Sequence, residues 1–218
     1  MKLTQEEIHQ IELYLESKEL YQIDLKQEVL DHIANAIEER MEQGTSFVNA
    51  FYLEQSKWHK SLDGSSHLLI GNFFGPKVLI DKATKVLKSF YGITAIFMGL
   101  IAAMLFLIYL FSNKNFELME RGIGGAELFF IGIAVFCLIR IQTSGYNTTY
   151  RLLFRRFLWT IAIVCLIANP LYSKLFKISS GDGLEWIYLF LHILFLSQIF
   201  GIFYLYKMHI SLKKLMLV

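Results

Sequence analysis

SFYGITAIFMGLIAAMLFLIYLFSN, residues 89–113, runs for 25 residues without a charge. A helix needs roughly 20 apolar residues to cross the hydrocarbon core of a bilayer. The stretch therefore predicts a transmembrane helix, and it marks where a membrane domain begins. Further apolar segments occur at 123–141, 157–173 and 186–206. The second carries Glu127 near one end and Arg140 near the other, both able to snorkel to an interface. Asn169-Pro170 is expected to kink or end the third, because proline lacks a backbone donor. With 55% hydrophobic residues and a mean hydropathy of +0.44, the chain is too apolar for an ordinary soluble domain.

Charge divides the chain. Residues 1–76 hold six Lys/Arg against thirteen Asp/Glu, a net −7, and the remaining 142 hold fifteen against six, a net +9. An acidic head makes a poor nucleic-acid binder, since phosphate contacts need Lys and Arg, so no nucleic-acid partner is expected. MKLTQEEIHQIELYLESKEL at the start has no uninterrupted apolar core and does not read as a secretory signal. With both termini cytoplasmic, the inner flanks collect eleven basic residues and the outer loops four, as the positive-inside rule prefers. Cys137 and Cys165 lie in apolar segments and are expected to pack as small side chains.

Before the first span the pattern is amphipathic. Thr4 and Glu7 read as a capping box, followed by an Ile8, Ile11, Leu15 stripe. Asp24 and Gln27 are expected to open a second helix likewise, with Leu25, Val29, Ile33, Ile37 and Met41 at i+4 and Gly44 as its stop. Ser46 is expected to cap a third helix, with Phe47, Ala50, Phe51 and Trp58 on one side. The expected fold is all-α: a small N-terminal three-helix cytoplasmic domain, then a four-helix transmembrane bundle. Its parts are an acidic head at 1–60, a linker at 61–76, a basic juxtamembrane helix at 77–88 and the membrane domain at 89–218, with spans at 89–112, 123–141, 157–173 and 186–206. Pro76 is expected in the first turn of the helix after the linker.

DLKQEVLDHIANAIEERMEQGTSFVNAF, residues 24–51, has an acidic helix, a Gly-Thr-Ser-Phe turn and an Ala-containing helix. This pattern resembles the HAAS or permease-prefix type of N-terminal helical domain, over about residues 5–60. The resemblance implies a bacterial inner-membrane protein in signalling or transport regulation, and it implies no catalytic residues.

Several residues are candidates for function by their chemistry. Glu28, Asp31 and His32 cluster on the second helix as a surface for a cytoplasmic protein partner; Glu28 and His32 form an i,i+4 pair, too few ligands for a metal. Lys82, Lys85 and Lys88, with Arg151, Arg155 and Arg156, are placed to meet anionic lipid headgroups. Asn169, His192 and Gln198 are polar positions within the spans. Ala95, Gly99 and Ala103 form a small-residue stripe that packs inside the bundle or joins a homodimer. No cofactor is expected, and no nucleophile–base pair, phosphate loop or metal triad is visible. A regulatory or interaction protein is the leading expectation, a small transporter or transporter accessory subunit the alternative, and a membrane enzyme the least expected.

Overall fold

The computed structural model describes residues 2–70, 73–111, 116–155 and 184–212. The expected span at 157–173 lies outside these, and with it Arg156, Cys165, Asn169 and Pro170. Among the described residues the fold is all-α apart from one short hairpin. The chain divides into two compact units: Met1–Leu87 with Tyr146–Thr149, and Lys88–Gly145 with Tyr150–Val218.

The first unit begins with α1 (Gln5–Ser17), opened by Thr4. The Thr4 hydroxyl accepts from Glu7 N–H at 3.3 Å, and the Glu7 carboxylate accepts from Thr4 N–H at 2.8 Å. The expected capping box is therefore complete. α1 ends in a Schellman turn: Leu20 N–H reaches Leu15 C=O at 3.1 Å and Glu19 N–H reaches Glu16 C=O at 2.9 Å. The residue in the left-handed position is Glu19, at φ 60°. α2 (Ile23–Glu42) ends in the same motif with Gly44 at φ 88°, where Thr45 N–H meets Arg40 C=O at 3.1 Å. Next comes α3 (Phe47–Leu62).

Ile11, Leu15, Leu20, Leu25, Val29, Ile33, Ile37 and Ala50 form one core, joined by Leu62 and by Leu79 from beyond the hairpin. The i+4 series on α2 thus builds the centre of this unit. Around it Phe47 stacks on Phe51 at 5.5 Å, and Tyr14 meets Phe51 edge-on at 5.9 Å.

The residues expected as a linker carry structure. β1 (Gly64–Ser66) pairs antiparallel with β2 (Phe74–Pro76), with Gly64 opposite Pro76, and a 3₁₀ turn covers Leu68–Ile70. Gly64 has a local reason: a Cβ there would run into the Phe74 ring. Pro76 closes β2 rather than entering the next helix, and Lys77 N–H donates to Asp63 C=O at 2.9 Å. That bond joins the end of α3 to the start of α4 (Lys77–Phe111). The stretches expected as a basic juxtamembrane helix and a first span are one continuous helix, because no breaker separates Lys88 from Ser89.

In the second unit, α5 (Phe116–Gln142) packs against α6 (Leu184–Ser211), and the later part of α4 meets α6. Phe200 of α6 lies 3.7 Å from Phe97 of α4, stacked, and 6.3 Å from Phe130 of α5. Two stretches, Lys77–Ile108 and Phe190–Ser211, are long and apolar enough to cross a membrane; Phe129–Gln142 is a shorter apolar helix. The two small-residue stripes behave differently. A Cβ at Gly201 would collide with the Phe90 ring, and Ser197 is fully buried, so this face of α6 is a packing face. Ala95, Gly99 and Ala103 are all exposed, and a Cβ at Gly99 would meet nothing within 4 Å.

Candidate functional site

The polar junction of the first unit forms where α2 begins. The first backbone N–H groups of a helix lack intrahelical partners, and side chains or other segments must supply acceptors. Sequence spacing assigns Asp24 and Gln27 to that task. The structure assigns it otherwise. Gln22 occupies the cap position with no side-chain cap bond, and Ile23 N–H donates to Asn147 C=O at 2.9 Å. Asp24 turns away from its own helix: its Oδ1 accepts from Thr149 N–H at 2.9 Å. Thr149 is the first helical residue of 149–155. Two helix N-termini therefore supply each other's acceptors, one through a carbonyl and one through a carboxylate.

The Asp24 side chain is 3% exposed. Burying a carboxylate is unfavourable unless a counter-charge and hydrogen bonds compensate. Lys82 of α4 supplies the charge. Its Nζ lies 3.2 Å from Asp24 Oδ2 as an ion pair, and it donates to Asp24 C=O at 3.0 Å and to Glu28 Oε2 at 3.0 Å. This overturns two expectations. Glu28 pairs with Lys82 rather than with His32, and Lys82 faces α2 rather than lipid headgroups, because a buried carboxylate outcompetes solvent for its ammonium. Asp31 and His32 are exposed on α2, as are Lys85 and Lys88 on α4.

A second buried carboxylate lies on α3. Glu54 is 1% exposed and meets Arg40 Nε at 3.3 Å and Lys57 Nζ at 3.4 Å. Its sequence signal is the Ala50, Glu54, Trp58 series, which puts an acid at i+4 within an apolar stripe. Ser46 stands at the cap position of α3 without a side-chain cap bond. Burial pushes the Tyr14 hydroxyl above its ordinary pKa, and the negative charge of Asp63 adds to this. Lys26, bonded to Glu16 at 2.8 Å, holds the Glu16 carboxyl below its ordinary value.

In the second unit Arg151 donates to Gln142 C=O and to Gln142 Oε1, each at 3.4 Å, and Arg155 is exposed. His192 is buried and Gln198 half-buried on α6. Six residues apart, they lie about 120° from each other around the helix, so they do not share one face. His209, fully buried, places Nε2 2.9 Å from Ser144 Oγ. The Ser144 hydroxyl donates to Ile141 C=O at 2.7 Å, so it accepts from the imidazole and caps the end of α5. Nothing in local spacing links these two residues, which are 65 apart. Among the described residues no three His, Cys, Asp or Glu side chains converge as a metal site.

No known protein family, no curated protein and no solved structure matches this chain.

Proposed function

We propose that this chain is a multi-pass protein of the bacterial inner membrane with cytoplasmic termini, acting as a non-enzymatic regulatory or interaction protein. In this reading the acidic head, of the HAAS or permease-prefix type, binds a cytoplasmic protein, and a four-span bundle anchors it or senses the membrane. One contrast of surfaces carries the reading. On α4, α5 and α6 the outward side chains include Ile96, Leu100, Met104, Phe129, Phe136 and Phe203, each more than half exposed. The outward face of α2 instead presents Gln27, Glu28, Asp31, His32, Asn35 and Glu39. Monomeric soluble proteins rarely expose apolar patches beyond roughly 300–600 Å², and lipid tails are the solvent in which such a surface is stable. The polar face suits water and a partner with basic groups.

The test is capture from cell cytosol by the full-length chain in detergent, beside the double variant Asp31→Lys, Glu39→Lys. Both residues are exposed, so the exchange leaves the head's core untouched. The reading expects a cytoplasmic protein enriched by the native chain and lost from the variant. Equal recovery of every protein by both would remove the acidic face as a binding surface.

A further inference from the structure

We propose that Asp24 is the fastening point of a latch, which holds residues 146–149 against α2 and opens locally while the head stays folded. This rests on the reading of the head as the partner-binding element and names the device through which its state reaches the rest of the chain.

Two reciprocal bonds fasten the latch to the start of α2. Asp24 Oδ1 holds Thr149 N–H, and Asn147 C=O holds Ile23 N–H, both at 2.9 Å. Thr148 and Thr149 are 1% and 0% exposed, so closure takes both threonines out of water while Asn147 stays exposed. Closure is also imperfectly compensated. Gln22 Oε1 and Thr149 Oγ1 are buried without a hydrogen-bond partner, and Asp24 Oδ2 has the Lys82 ion pair but no hydrogen bond. Each such atom gives up hydration on closing and recovers it on opening. The apolar core of α2 has no such debt, since Val29, Ile33 and Ile37 bury carbon alone. The weak point of the unit is therefore the junction and not the core, which is the condition for local opening.

Opening has a defined consequence along the chain. The helix starting at Thr149 loses the carboxylate at its N-terminus, where a negative charge stabilises the first turn. Arg151 and Arg155 sit in that helix. Unlatching thus loosens the first turn, which carries Arg151.

Amide hydrogen exchange of the full-length protein in detergent micelles, read by mass spectrometry, tests this. In the native chain, amides of 146–150 are expected to exchange at least about 10-fold faster than those around Ile33 and Ile37. Asp24→Ala is expected to speed 146–150 about 10-fold further with the α2 core unchanged. Thr149→Pro removes the donor from the other side at a position where proline suits a helix start, and is expected to speed the amide of Ile23. Exchange of 146–150 in step with the core, or a rate indifferent to both variants, overturns the latch. So does loss of protection throughout the head in both variants, which would make the junction part of the folding core. Because the readout needs no partner, failure of the capture experiment would leave this result standing.

Discussion

The Asp24 carboxylate accepts a hydrogen bond from the backbone N–H of Thr149, 125 residues away, at 2.9 Å. It does so while paired with Lys82 and almost wholly out of water. Its counter-charge should then matter more than an exposed ion pair would. Lys82→Met is expected to lower stability by about 2–4 kcal/mol, because it leaves a buried carboxylate without its cation. Lys82→Arg should recover part of the loss. Thermal unfolding of the detergent-solubilised protein, native against variant, measures both.

Glu54 makes the opposite case for the value of a buried charge. Arg40→Ala is expected to cost about 1–3 kcal/mol, since Glu54 stays buried with the exposed Lys57 as its remaining cation among the described residues. Glu54→Leu should cost less than Arg40→Ala, because an apolar side chain in an apolar stripe needs no partner. A greater loss for Glu54→Leu, measured by denaturant titration, would show that the ion pair itself stabilises the head.

The two Schellman turns predict opposite responses to glycine. Glu19→Gly is expected to stabilise by about 0.5–1 kcal/mol, because Glu19 holds a left-handed conformation that glycine adopts freely. Gly44→Ala should destabilise by about 1 kcal/mol for the same reason. Nothing lies within 4 Å of a Cβ at Gly44, so the effect there is conformational and not steric. Denaturant midpoints of the two variants against the native chain check both signs.

Among the membrane-type helices, Gly201→Ala is expected to cost about 1–3 kcal/mol by driving a methyl group into the Phe90 ring. Gly99→Ala should change stability by about 0.5 kcal/mol or less, or raise it slightly through helix propensity. Comparison of melting temperatures in the same detergent decides whether α6 is the packing helix and the α4 stripe is outward.

Tyr14 gives a pH signature. Its pKa in the folded head is raised, first by burial and then by Asp63, so folding favours the protonated phenol. The associated stability is fully present below the unfolded value near 10 and is lost as pH rises through the folded value. Tyr14→Phe is expected to flatten the decline in stability above about pH 10 while leaving the slope near pH 7 unchanged. An unchanged alkaline slope would assign that decline to other groups.

Local rules were legible at several places where the partner lies within one helical turn, but not at the expected Asp24 and Ser46 caps, whose side chains make no cap bond to their own helices. The Thr4–Glu7 box, the Gly44 stop and the Leu25 to Ile37 stripe all come from spacing and are present in the fold. Apolar length likewise marked α4 and α6. Glu19 was not legible as a helix stop, because its left-handed conformation is imposed by the burial of Leu15 and Leu20 on either side of it. Nor did spacing reveal the hairpin at 64–76, whose three-residue strands are too short to show alternation.

By itself, then, the sequence determined where helices form, which face of α2 is apolar, and where charge gives way to hydrocarbon, since each depends on residues three or four apart. Tertiary structure decided what the polar groups do. It sent Asp24 to Thr149 instead of to its own helix, took Lys82 from the lipid-facing set, buried Glu54, and chose Gly201 over Gly99 as a packing site. The physical reason is common to all four: a buried charge or a missing Cβ acquires its role from the group placed against it, and that group arrives from a distant part of the chain.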